Sequence, residues 1–82
     1  MSYEKVKQAK ETIIGTKQAV KAMKKGLVKE VYIALDVEER IIELARTTAQ
    51  ENNVSINYVE SKVDLGKACG LRLAASVVAI TV

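Results

Sequence analysis

Five apolar residues, Val31-Tyr32-Ile33-Ala34-Leu35, run without interruption between Glu30 and Asp36. A strand with one wet face would alternate apolar and polar residues. A continuous run this short, rich in β-formers, reads instead as a strand covered on both faces. Such cover needs flanking helices, and the neighbouring sequence has helical periods. Ala19, Val20, Ala22 and Met23 mark a helix that stops at Gly26, the residue most at ease in the left-handed conformation of a helix C-terminus. Downstream, Ile41, Ile42, Leu44, Ala45, Thr48 and Ala49 form the expected buried face of another helix. Asp36 opens it, with Glu39 three residues on as in a capping box, and Asn52-Asn53 end it.

The same alternation extends along the chain. Tyr3, Val6, Ala9 and Ile13 recur at helical spacing and lead into an extended piece, Thr12 to Gly15. Val54, Ile56 and Tyr58 alternate with Ser55 and Asn57, a strand pattern that assigns Tyr58, like Tyr32, to the core. Ser61, with Asp64 three residues on, caps a short helix closed by Gly70, and Ala74 to Val82 is the last strand. Strands alternating with helices predict an α/β fold, a layered αβα domain around a largely buried sheet. No linker, repeat or low-complexity tract divides the 82 residues, so one unit is expected. Sites in such sheets collect at strand ends. The loops at residues 15–18, 35–38 and 70–73 are therefore the places to look, and all three share one edge if the last strand runs antiparallel to the first.

The inventory of side chains narrows the chemistry. The chain has no His, Trp, Phe or Pro and a single Cys, Cys69. Missing with His are the commonest general base and zinc ligand. A lone Cys allows neither an internal disulfide nor a Cys-x-x-Cys site, and reads as a small, mostly buried thiol in a reduced, cytoplasmic setting. Glu38, Glu39 and Glu43 read as an exposed helix face without a metal-ligand loop pattern. Three tyrosines give no stacking platform for single-stranded bases. Residues 1–10 are too polar for a signal peptide, and Leu73 to Val82 is too short to span a bilayer, so a soluble protein is expected.

The net charge of +3 is unevenly placed. Residues 1–29 carry eight lysines against two glutamates, a local +6, whereas residues 30–82 sum to −3. Concentrated positive charge attracts polyanions, whether nucleic acid or an anionic membrane. Within it, Gly15-Thr16-Lys17-Gln18 opens a helix whose free N–H groups and positive dipole end face outward. Lys17 adds like charge at that end, a misfit of about 0.3–1 kcal/mol that an anion would relieve. Lys17, Lys21 and Lys24 line one face, with Lys25 behind them, and Gln18 offers an acceptor and donors to a base edge. The same spacing also suits an ordinary solvated lysine face. The segment is neither a P-loop nor a dinucleotide fingerprint, because the further glycines are missing.

A second segment, Leu65 to Ala74, places Gly66 inside a short helix at about 0.5–1 kcal/mol relative to Ala. That implies a close backbone approach, to the sheet or to a ligand. Leu73 reads as the beginning of the core strand. Leu71 suits the core and a surface contact equally well.

Gly15 to Ala22, Val31 to Asp36, Leu65 to Gly70 and Ala74 to Ile80, in this order and spacing, resemble the L-seven-Ae ribosomal-protein family of kink-turn RNA binders along nearly the whole chain. The resemblance implies a three-layer αβα sandwich around a four-stranded mixed sheet, with residues 1–82 as a single RNA-binding domain. It implies a kinked RNA duplex with tandem sheared G·A pairs as partner, and no catalysis, cofactor, metal, membrane or small-molecule substrate. Carried over, Gly15 and Thr16 let the backbone approach the RNA, and Lys17, Gln18 and Lys21 meet guanine edges and phosphates. The loop Gly70-Leu71-Arg72-Leu73-Ala74 packs on the nucleotide flipped out at the kink, and Lys24 and Asp36 complete the expected site. The domain is expected to act as a monomer in a ribosome-related, cytoplasmic role. The alternative is a protein-interaction module of the same fold, without specific RNA binding.

The family places Asn-Glu where this chain has Lys17-Gln18. Gln keeps an acceptor without the charge that strengthens a bond to guanine donors, and Lys gains phosphate attraction without a two-way amide. Kink-turn binding is expected to persist with altered base discrimination.

Overall fold

The computed structural model describes residues 11–82. The helix expected on Tyr3, Val6 and Ala9 lies outside the described residues. Ile13, the last member of that period, belongs to the first strand, β1 (Thr12–Ile14). There follow α1 (Thr16–Lys24), β2 (Val28–Ala34), α2 (Glu39–Glu51), β3 (Ser55–Val59), α3 (Lys62–Ala68) and β4 (Val77–Thr81). The four strands form one mixed sheet in the order β1-β4-β2-β3, with β4 antiparallel to both β1 and β2, and β2 parallel to β3.

Val31 to Ala34 of the apolar run are buried on both faces because their alternate residues enter two cores, whereas Leu35 lies past the end of β2 and is 49% exposed. Val31 and Ile33 pack with Ala19, Ala22 and Met23 of α1 and with Ile42, Ala45 and Ala49 of α2. Tyr32 and Ala34 pack on the opposite face with Val59, Val78, Ile80 and Leu65 of α3. Helices on both sides of the sheet make the αβα sandwich. Tyr32 is fully buried, and its hydroxyl donates to Glu30 Oε1 at 3.0 Å. Glu30 Oε1 also accepts from Asn57 Nδ2 at 3.2 Å, so the carboxylate ties β2 to β3.

Several expectations need correcting. Asp36 does not cap α2. That helix begins at Glu39 with Glu38 at its N-cap and no side-chain cap bond, and Asp36 Oδ1 instead accepts the backbone N–H of Lys62 at 2.9 Å. Leu44 is exposed because it lies about 100° round α2 from Ala45, at the margin of the buried face. Tyr58 is 42% exposed, since β3 is an edge strand with no described strand on its outer side. Strand β4 starts at Val77, three residues later than expected, because Ala74 to Ser76 complete the loop. Elsewhere the local signals hold. Ser61 Oγ accepts the N–H of Asp64 at 3.2 Å, and Gly26 and Gly70 follow their helices with φ of 75° and 79°.

Candidate functional site

The antiparallel insertion of β4 has the consequence expected for the loops. Because β4 runs against β1 and β2, its first residue lies at the end where those strands finish: Ile14 is opposite Val78, and Ile33 is opposite Val77. Backbone bonds stitch this end together. Gly15 N–H donates to Val77 O at 2.9 Å, Ala34 N–H to Ser76 O at 2.9 Å, and Leu35 N–H to Val59 O at 2.8 Å. Lys62 then ties two more segments in, donating its N–H to Asp36 and accepting at its carbonyl from Ala75 N–H at 2.9 Å.

Gly15 is the pivot between β1 and α1. Its φ of 109° and ψ of 145° lie in a region open to glycine and strained for L side chains. The first N–H bonded within α1 is that of Ala19, which donates to Gly15 O at 2.9 Å. The N–H groups of Thr16, Lys17 and Gln18 precede that bond, and the first turn carries no acid and no side-chain cap. Thr16 is half-buried, whereas Lys17, Gln18, Lys21 and Lys24 are exposed. The ion pairs among the described residues, Arg40–Glu38 and Arg46–Glu43, both belong to the α2 region, so no described carboxylate neutralises the α1 lysines. Lys24, on the last turn, stands about 10 Å along the axis from Lys17 and is not brought to the strand ends.

The loop from Gly70 to Ser76 comes to the same end from the other side. Gly70 N–H donates to Lys67 O and Leu71 N–H to Gly66 O, both at 2.9 Å, closing α3. Leu73 departs from the core role expected of it, and Leu71, which by sequence suits core and surface equally, takes the core side. Leu73 is 79% exposed, and Leu71 is half-buried against the core on the α3 face. Leu73 does not begin the core strand, because β4 has not yet started there. Arg72 and Ala74 are exposed beside it, so the loop presents a cation and apolar surface together. Leu73 is four residues from Val77, at most about 14 Å of chain, and Val77 holds Gly15.

Gly66 explains this placement. A Cβ there would lie 2.1 Å from Leu73 O and 3.3 Å from Ala74 Cα, so the close approach read from the sequence is to the loop's own backbone. Cys69 is half-buried, and burial pushes its thiol pKa up, which suits packing rather than nucleophilic work. Among the described residues no group of His, Cys, Asp or Glu could hold a metal ion. No helix among them is long and apolar enough to cross a membrane. The structure thus brings Gly15 to Gln18, Asp36 and Gly70 to Ala74 to one sheet end, with Lys21 one turn into α1. The sequence did not disclose the tie from Asp36 through Lys62 to Ala75, since three of its four groups are backbone.

Fold and site together define a class: small αβα domains in which a cationic helix start and a short apolar loop meet at one sheet end. This chain belongs to the ribosomal protein L7Ae/L30e/S12e/Gadd45 family, whose model matches residues 2–82. Among its relatives, an RNA-binding protein of Bacillus pumilus is 49% identical over 80 residues, 98% of both chains. The RNA-binding protein YbxF of Geobacillus stearothermophilus is 48% identical over the same span and coverage. Of solved structures, the Giardia lamblia 15.5kD RNA binding protein superposes with a TM-score of 0.83 at 26% identity, covering 98% of this chain and 70% of that one.

Proposed function

We propose that this chain is a non-catalytic RNA-binding domain that recognises kink-turn RNA, a bent duplex with tandem G·A pairs, and acts as a monomer in a ribosome-related, cytoplasmic role. The observation that carries the reading is the junction at Val77, where the uncapped, acid-free start of α1 meets the loop bearing exposed Leu73. Relatives named as RNA-binding proteins over nearly the full length support the RNA, and the family resemblance supports the kink.

The mechanism follows from the two parts. An ordinary A-form duplex hides its base edges in a deep, narrow groove that side chains cannot read. A kink opens that groove, admitting Lys17 and Gln18 at the base edges while Lys21 meets a phosphate. The displaced nucleotide rests on Leu73 and its neighbours. Because these contacts exist only with the bent RNA, binding shifts the RNA from its extended to its bent state. The protein supplies cations and apolar surface, and the RNA supplies the bend.

A gel-shift titration comparing intact kink-turn RNA with the same RNA lacking its G·A pairs tests this. The expected preference is about tenfold or more, roughly 1.4 kcal/mol. Equal affinity for both RNAs would reduce the reading to general RNA binding, and no binding to either would favour a protein-interaction module.

A further inference from the structure

Helix α1 has a second exposed face, next to the one that carries Lys17 and Lys24. Gln18, Lys21 and Lys25 follow one another at three- and four-residue steps and wall an open groove of about 310 Å³. Its floor is Ile13 of edge strand β1, Ala22 and Leu27, and among the described residues no carboxylate lines it. Leu27 is 47% exposed there, a large apolar side chain left half in water beside two ammonium groups.

Cations over an apolar floor, with an amide at one end, match the parts of a nucleotide in order. Lys21 and Lys25 stand about 6 Å apart along the axis and can hold a phosphate between them. Ile13 and Leu27 offer surface to a ribose and base, and Gln18 can pair with a base edge. The groove also continues the site already described, because Gln18 and Lys21 belong to both. From Gln18 to Lys25 is about 10 Å of helix axis, enough to lie along one nucleotide and its flanking phosphates.

We infer that this groove holds a further nucleotide of the RNA strand that passes the start of α1, so that the contact surface runs on from Gln18 to Lys25 and Leu27. The inference rests on the RNA-binding reading, and it adds Ile13, Lys25 and Leu27 to the helix start and the loop of residues 70–74.

The test uses Lys25→Gln and Leu27→Ser in the full chain, titrated against kink-turn RNA with long flanking stems and with the stems trimmed close to the G·A pairs. On the long RNA, Lys25→Gln is expected to weaken binding about three- to tenfold and to lower the salt slope by roughly 0.7–0.9. On the trimmed RNA it should change neither. Leu27→Ser should weaken binding to the long RNA about two- to fivefold with the salt slope unchanged. If Leu27→Ser lowers the melting temperature, Lys25→Gln decides alone, since Lys25 is exposed. Unchanged affinity and slope for Lys25→Gln on the long RNA overturns the groove while leaving the kink-turn reading standing. Loss with Lys25→Gln on long RNAs with and without G·A pairs, when wild type binds both equally, sustains the groove and overturns the kink. Failure of wild type to bind either RNA overturns both.

Discussion

Gly66 and Leu73 are held so closely that a single added methyl would sit 2.1 Å from the Leu73 carbonyl oxygen. The obstructing atom is backbone, so no side-chain rotation relieves the contact, and the loop itself must move. Gly66→Ala gains about 0.5–1 kcal/mol of helix propensity and loses about 1–3 kcal/mol to overpacking. The expected result is a lower melting temperature together with weaker RNA binding, as Leu73 leaves its place. A variant that melts at or above the wild-type temperature would show that the loop yields without cost.

Leu71 and Leu73 separate stability from binding. Leu71 packs against the core on the α3 face, and its truncation should cost ~1–2 kcal/mol, less than the 2–5 kcal/mol of a fully buried Leu. Each kcal/mol is about 4–8 °C in melting temperature for a domain this small. Leu73→Ala should leave the melt within about 2 °C of wild type by the same scale and weaken kink-turn RNA binding severalfold. Differential scanning fluorimetry and a binding titration on both variants decide it, and a reversed pattern would return Leu73 to a structural role.

Lys21→Ala should weaken binding and flatten the dependence of log K on log salt by roughly one phosphate's worth, ~0.7–0.9. Affinities measured between low and moderate salt give that slope directly. An unchanged slope would remove Lys21 from phosphate contact.

At position 18 the neutral amide is expected to limit base discrimination. Gln18→Glu introduces a charged acceptor, which bonds guanine donors about twice as strongly as a neutral one. The ratio of affinities for RNA with and without G·A pairs should rise, while overall affinity falls slightly from added negative charge. Gln18→Ala should lower the same ratio more than it lowers affinity for the RNA without G·A pairs. Parallel changes on both RNAs would deny Gln18 a base-reading role.

Tyr32 makes stability sensitive to alkali. Burial first, and then the bond and charge of Glu30, push its pKa from 10 up to about 12. Between those values the unfolded chain has released the tyrosine proton and the folded chain still holds it, so stability falls as pH rises from about 10 to about 12. Below pH 10 the contribution is fully present. Urea midpoints across this range should fall more steeply for wild type than for Tyr32→Phe. Matching slopes would mean that the hydroxyl titrates alike in both states.

What the sequence disclosed was mostly local. The stop at Gly26 and the cap at Ser61 depend on neighbours within four residues, and the structure has them as read. The two-sided burial of Val31 to Ala34 was legible because the absence of alternation is itself a local signal. Errors arose where the deciding partner is distant. Asp36 looks like a cap for the helix that follows it, yet its carboxylate is taken by Lys62, 26 positions away. Leu44, Tyr58 and Leu73 are apolar in apolar surroundings, and nothing in their periodicity tells that one lies off the helix face, one on a sheet edge and one ahead of its strand. The positions of the site loops were legible, but their meeting depended on the direction of β4.

That direction also imposes a schedule. Strand β4 is the last of the described elements, and it is the strand that joins β1 to β2. A nascent chain that has released everything up to Gly70 already carries the residues of α1, α2 and α3 and Gly15 to Gln18, but not the Val77 carbonyl that accepts from Gly15 N–H. Competence at this surface therefore arrives late and abruptly, when residues 77–81 clear the ribosome and zip between two strands made tens of residues earlier. A partial translation product has the lysines without the geometry, so the proposed recognition of a bent RNA waits on β4.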